Sequence, residues 1–270
     1  MEFLSREAST IALCWRLERR DGAAIGFTSH DRDLFIQGLN YRAAPGMLPS
    51  AVALSDGFDI DSLDVEGALS ADAIRGEDLA AGRWDDARLF LFMADWEDPS
   101  QMLPIARGTL GDVGIKGSAF EAELRGPTAA LDRPVVEQTS PECRAELGDK
   151  RCRVDMAARI VRAKVASVVE EDLIEVDRAE PRPNAYGYGR LRWLSGANSG
   201  LSAQLLWSDG ARLKLSEPPA FAPEAGDLVE VREGCERSFA TCLARFGNAA
   251  NFRGEPHLPG MDLLTRYPGG

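Results

Sequence analysis

The chain has 270 residues, a net charge of −12 and an apolar fraction of 44%. That length allows one large domain or two modest ones around a sizeable core. A surface of that sign repels phosphate and argues against stable nucleic-acid binding, and the lack of any run of 18 apolar residues argues against a membrane-spanning helix.

The opening MEFLSREAST has neither the basic nor the apolar region of a secretion signal, so synthesis and assembly are expected in a reducing cytoplasm. Five cysteines in that setting disfavour a disulfide framework. With 26 glycines and 15 prolines, the chain is expected to be built from short strands and turns.

In STIALCWRLER, Ile11, Leu13, Trp15 and Leu17 alternate with smaller or polar residues, the period of a half-buried strand. Arg20 to Gly22 reads as a turn, and DLFIQGLNYRA as a further hairpin. SADAIRGEDLAAGRW has weak helical character, interrupted by Gly76 and Gly82. ARLFLFMADW is apolar on both faces and short enough to be a buried strand. IARGTLGDVGIKGSAFEAELRG predicts several short strands broken by glycines. PTAALDRPVVEQTSPEC reads as a loop or one short helix closed by Pro134 and Pro141, and a domain boundary is expected there.

The β pattern restarts near Ala158. Five or six strands at regular spacing follow in about 75 residues, with Ser208 to Gly210 as a hairpin turn, which predicts a small barrel or sandwich. SFATCLARF then has room for two turns of helix with Ser238 as its N-cap. The expected organisation is an N-terminal β-barrel-like domain over 1–140, a linker over 141–157, a small β-barrel over 158–234 and a C-terminal segment over 235–270. The fold class is mainly β with short helices, in two barrel- or sandwich-like regions, the second closed by a four-cysteine cluster site.

Cys143 and Cys152 form a C-x8-C pair before the second β region, and Cys235 and Cys242 a C-x6-C pair after it. A small barrel brings its first and last strands together, so the pairs are expected to meet as one four-thiolate site. Cys235 precedes the predicted helix start, where N–H groups favour a thiolate and could donate to cluster sulfides. Structural zinc sites use knuckles of cysteines two to four residues apart, which neither pair matches, whereas a [4Fe–4S] cube is wider. Spacing therefore prefers the cluster to zinc and leaves zinc, free thiols or disulfides as alternatives. Cys14, alone on an alternating strand, is expected to be a packed core residue.

Other constellations are weaker. Tyr186, Tyr188, Arg190 and Arg192 could share one strand face as a base-stacking platform, against the simpler reading of a half-exposed strand with Leu191 and Trp193 inside. His30 among Asp31 and Asp33 reads as a solvated turn, and His257 as a non-ligand beside four sufficient cysteines. The acidic stretches DGFDIDSLDVEG and WEDPS read as a solvated face. No catalytic triad order, phosphate-binding loop or H-E-x-x-H is present, and no enzyme activity is expected.

GCERSFATCLARFGNAANFRGEPHLPG (Gly234 to Gly260) resembles the C-terminal signature of tail-tip hub proteins of long flexible-tailed phages and of gene transfer agents. GRLRWLSGANSG, AGDLVEVREGC, the C-x8-C pair and GFTSHDRDLFIQGLNYRA fit the same pattern. The resemblance implies a virion structural protein, a homotrimeric ring at the tail tip or baseplate. It would join the tail tube and distal tail protein to a receptor-binding fibre or megaprotein. It also implies a [4Fe–4S] cluster held by Cys143, Cys152, Cys235 and Cys242, with Cys14 not a ligand. DNA would pass without specific binding, no stable membrane association is expected, and a fibre domain would sit on a separate polypeptide. The alternatives are an iron–sulfur electron-transfer or redox-sensing protein and a zinc-stabilised interaction module.

Overall fold

The structure is a computed structural model that describes residues 10–43, 47–49, 62–68, 74–116, 119–126 and 136–258. It is mainly β and divides into two compact units, Met1–Val135 and Val136–Gly270. Much of the PTAALDRPVVEQTSPEC stretch and part of DGFDIDSLDVEG lie outside the described residues.

The described strands of the first unit are β1 (Ile11–Glu18), β2 (Ala24–Thr28), β3 (Leu34–Ile36), β4 (Leu39–Arg42), β5 (Met47–Pro49), β6 (Ser62–Ala68), β7 (Arg88–Asp95), β8 (Met102–Lys116) and β9 (Ala119–Arg125). They form one nine-stranded sheet in the order β3-β4-β2-β1-β7-β8-β9-β6-β5, an open half-barrel where a barrel-like domain was expected. Gln37 and Gly38 turn the β3–β4 hairpin at φ 48° and 79°, the left-handed pair that matches the twist of two antiparallel strands.

The middle of this sheet is covered on both faces. Trp15 and Leu17 of β1 pack with Leu89, Leu91 and Trp84. Ala12 and Cys14 of the same strand pack with Ile36, Tyr41 and Ala94. The half-buried strand predicted from Ile11–Leu17 is thus buried on both sides, because small Ala12 and Cys14 admit a second layer. The short helix α1 (Gly76–Ala80) contributes Leu79 to the first layer. The several glycine-broken strands expected over 105–126 are instead two, the 15-residue β8 and the seven-residue β9. The register of β8 against β9 shifts between Leu110 and Val113, so Gly111 sits at an irregularity that does not end the strand.

The second unit holds β10 (Ile160–Glu170), β11 (Leu173–Val176), β12 (Arg190–Trp193), β13 (Ser202–Asp209), β14 (Arg212–Leu215) and β15 (Leu228–Arg232). These close into a barrel in the order β10-β11-β14-β13-β12-β15. Alternate residues point inward, and Val165, Ile174, Leu191, Trp193, Leu213 and Val231 form its core. Gly210, at φ 61°, opens the two-residue turn between β13 and β14. First and last strands pair directly, Ile160 with Arg232 and Lys164 with Leu228. The chain therefore reaches the barrel and leaves it side by side.

Candidate metal centre

The segments flanking the barrel are positioned by polar ties rather than by a second apolar core. The backbone N–H of Cys143 donates to the Arg237 carbonyl (2.9 Å), and that of Arg144 to the Arg253 carbonyl (2.9 Å). Arg144 makes a two-pronged ion pair with Glu255 at 2.7 and 2.8 Å. That pair holds the Glu255 carboxyl down to about 2, Arg144 being the main cause and the Ser140 N–H a second. Between the first two cysteines, Asp149 accepts from the N–H groups of Glu146, Arg151 and Cys152. Burial opposes ionisation of Asp149, yet those three donors keep its carboxyl below the usual range.

Beyond β15 lies helix α2 (Phe239–Phe246). Ser238 caps it, its hydroxyl accepting from the Thr241 N–H at 3.1 Å. Gly247, at φ 57°, ends it, with the Gly247 and Asn248 N–H groups returning to Leu243 and Cys242 carbonyls. Of its eight residues only Cys242 is buried.

Two glycines let backbones touch here. A Cβ on Gly234 would lie 2.1 Å from the Gly187 carbonyl oxygen, and one on Gly254 would lie 2.5 Å from that of Glu142. Gly234 therefore sets Cys235 against the Gly187–Gly189 turn, and Gly254 sets the C-terminal loop against the approach to Cys143.

The result is a pocket, partly open to solvent and with a cavity volume of about 20 Å³, with Cys143, Cys152, Cys235 and Cys242 all in its wall. Cys152 and Cys242 are buried, and Cys143 and Cys235 are half-buried. Three sulfurs receive N–H donors: Cys235 from Arg237 (3.4 Å), Cys143 from Arg253 (3.3 Å) and Cys152 from the Asn248 amide (3.6 Å).

Burial pushes the Cys235 thiol up, against the Arg237 N–H, and the Cys152 and Cys143 sulfurs push it further. This is the opposite of the thiolate expected there from a helix start. Burial also raises the Cys242 thiol, with Cys143, Cys235 and Cys152 adding to it. Four ionised sulfurs this close repel one another, so ionising all of them calls for a cationic group among them.

Among the described residues no group of three or more His, Cys, Asp or Glu side chains is arranged to hold a metal ion. A tetrahedral zinc would draw its sulfurs to about 3.8 Å from one another, given Zn–S bonds of about 2.3 Å. A four-iron cluster takes one thiolate per iron and fits a roomier cradle. The donor set, all sulfur with N–H groups aimed at it, suits such a cluster.

Beside the cavity, Glu233 is 5% exposed and accepts from Arg159 (2.8 Å), Arg182 (2.5 Å) and Arg245 (3.0 Å). Burial opposes its charge, but the three guanidinium groups keep its carboxyl below the usual range. Arg159 and Arg245 also lie over the Phe246 ring, which lines the cavity. Of these three, Arg245 also reaches the Cys235 thiol, and its charge favours the ionised sulfur.

The family model described as "baseplate hub protein, N-terminal attachment domain" matches residues 1–155, more than half of the chain. The chain belongs to the baseplate hub protein family.

A second family model, "phage conserved hypothetical protein BR0599", matches residues 184–262. The hub attachment match runs past the first compact unit and through Cys143 and Cys152, while the second match contains Cys235 and Cys242. Among solved structures, a chain from the virion of a native gene transfer agent particle is 36% identical, with a TM-score of 0.86 over 99% of this chain and 94% of that one. No individually curated protein matches.

The other predicted residues of this hub-family chain fall elsewhere. Cys14 is fully buried in the first unit and contacts Thr28 (3.5 Å). His257 is exposed and absent from the cavity wall. His30 sits on a turn, its ring 4.9 Å from that of Trp96. The stacking platform does not form: Tyr186 is buried in the barrel core, while Tyr188, Arg190 and Arg192 are exposed. Sequence reasoning missed Glu233, Asn248 and the Arg144–Glu255 pair. The last joins residues 111 apart, a separation at which no local pattern could signal it.

Proposed function

We propose that this chain is a non-enzymatic structural hub at the tip of a phage-like tail, with a [4Fe–4S] cluster held by Cys143, Cys152, Cys235 and Cys242. One observation carries the cluster reading: two cysteine pairs on opposite sides of a barrel in sequence line one cavity. Family membership and the likeness to a gene transfer agent virion chain support the tail-tip role. In this reading the hub is a cyclic trimer, assembled in the bacterial cytoplasm, that joins the tube and distal tail protein to a fibre protein.

When bound, the cluster supplies covalent cross-links between the linker that precedes the barrel and the segment that follows it. The chain's own residues do the rest. Gly234 and Gly254 bring the loops together, Asp149 shapes the first pair, and the Arg245 charge offsets part of that of the thiolates. By analogy with disulfides, closing a loop of about 90 residues stabilises the unit by roughly 3–5 kcal/mol.

Anaerobic purification of the full chain tests the cofactor. Four irons and four acid-labile sulfides per chain are expected; zinc without sulfide would replace the cluster with the zinc module. Deleting the gene tests the hub. Particles should then fail to complete their tails, and particles that assemble and inject normally would end the structural reading.

A further inference from the structure

The N–H donors to the sulfurs differ in kind. Those to Cys235 and Cys143 come from the backbone of Arg237 and Arg253, which no substitution except proline removes. The donor to Cys152 is a side chain, Asn248. We propose that Asn248 is the positioning residue that tunes the four-thiolate site through Cys152, with Asn251 holding its amide in the donating orientation. This rests on the cluster reading and deepens it.

The orientation follows from the partners. Asn248 faces the Cys152 carbonyl oxygen at 2.6 Å, and a carbonyl oxygen only accepts, so the facing atom is the amide nitrogen. The same nitrogen is 3.6 Å from the Cys152 sulfur. The amide oxygen points the other way and accepts from the Asn251 amide at 2.7 Å. A backbone bond from the Asn251 N–H to the Asn248 carbonyl (3.0 Å) closes this turn. Helix α2 ends at Phe246, and Gly247 in the left-handed conformation directs Asn248 back into the cavity wall. The two asparagines of GNAAN thus have complementary tasks: one donates to the site and the other keeps it from flipping.

Reduction adds negative charge to a thiolate-bound cluster, and a donor on sulfur stabilises the more negative state more. Hydrogen bonds to the sulfurs therefore raise the reduction potential, and outer partners of a ligand strengthen its hold on the metal. A residue that only capped the Cys152 carbonyl would leave the potential unchanged.

The test uses full-length chain purified anaerobically, as wild type, Asn248→Asp, Asn248→Ala and Asn251→Ala. Asn248→Asp keeps the shape, replaces the donor with an acceptor and adds a negative charge, and Asn248→Ala, which adds none, separates the lost donor from that charge. Potentials are read by dithionite titration followed by electron paramagnetic resonance, and hold on the metal by iron release to a chelator. Asn248→Asp should lower the reduced-to-oxidised ratio at fixed potential about tenfold, about 59 mV for one electron. Iron release should be about tenfold faster. Asn248→Ala should follow, and Asn251→Ala should move both readouts the same way by less. If Asn248→Asp fails to fold, Asn251→Ala still decides. Cluster-bearing variants with wild-type potential overturn the role of Asn248 alone. A wild-type chain without iron and sulfide overturns the cluster reading and this inference together.

Discussion

The two units solve the same problem, stabilising a β-rich fold, by different means. The first covers both faces of its central strands with apolar layers, Trp15 and Leu17 on one side and Cys14 and Tyr41 on the other. The second has an apolar barrel core, but its cysteine-bearing flanks bury little beyond Ala145, Cys152 and Cys242. An eight-residue helix with one buried side chain is marginal by itself. Cysteine accordingly plays two parts. In the first unit it is a small core residue; in the second it stands where an apolar core is missing. A segment without a core needs a staple.

The largest test of this contrast is Cys235→Ser. We expect loss of bound iron and sulfide and a destabilisation of the second unit by roughly 3–5 kcal/mol, read as a lowered calorimetric transition. The transition of the first unit should not move; a shift of both would dissolve the contrast. Gly234→Ala should cost about 1–3 kcal/mol, because the added carbon meets backbone at 2.1 Å and the chain must shift. It should also lower iron content, whereas a change at Gly210, whose Cβ would meet nothing, should not. Ser238→Ala removes the N-cap of α2 and should cost about 1 kcal/mol, visible as faster amide exchange confined to that helix.

The smallest effect concerns acid. Glu255 titrates at about 2 in the folded chain, below its ordinary 4.5. Its stabilising contribution is complete above 4.5 and is lost as pH falls from 4.5 toward 2. On the metal-free chain, Glu255→Gln should flatten the fall in Tm over that window. An unchanged slope would show that the Arg144 tie does not hold the C-terminal loop.

The barrel was legible because its strands alternate strongly, as in Arg190–Trp193, where Leu191 and Trp193 point in and the arginines out. Its closure was legible only as a consequence of strand number, since the pairing of Ile160 with Arg232 spans the whole barrel. The meeting of the cysteine pairs followed from the same topology. What sequence hid was what small or distant residues do. Cys14 was expected to be packed, but the residues that cover it and Ala12, among them Ile36, Tyr41 and Ala94, come from other strands, so the second layer over β1 was missed. Glycines were expected to break the strands after Ile105, yet Gly111 lies at a register shift within β8. Glu233 gathers arginines from three separate segments, a cluster no periodicity encodes.

The side-by-side arrival and departure of the chain at Ile160 and Arg232 has a mechanical side. Tension applied across the flanks of the barrel would peel β10 from β15 one hydrogen bond at a time, the weakest direction in which a sheet can be loaded. A sulfur-bound knot just outside that point would carry the load first and leave the barrel slack. With the proposed cluster in place, force along the flanks would be borne by metal–sulfur bonds, with the sheet as a spectator.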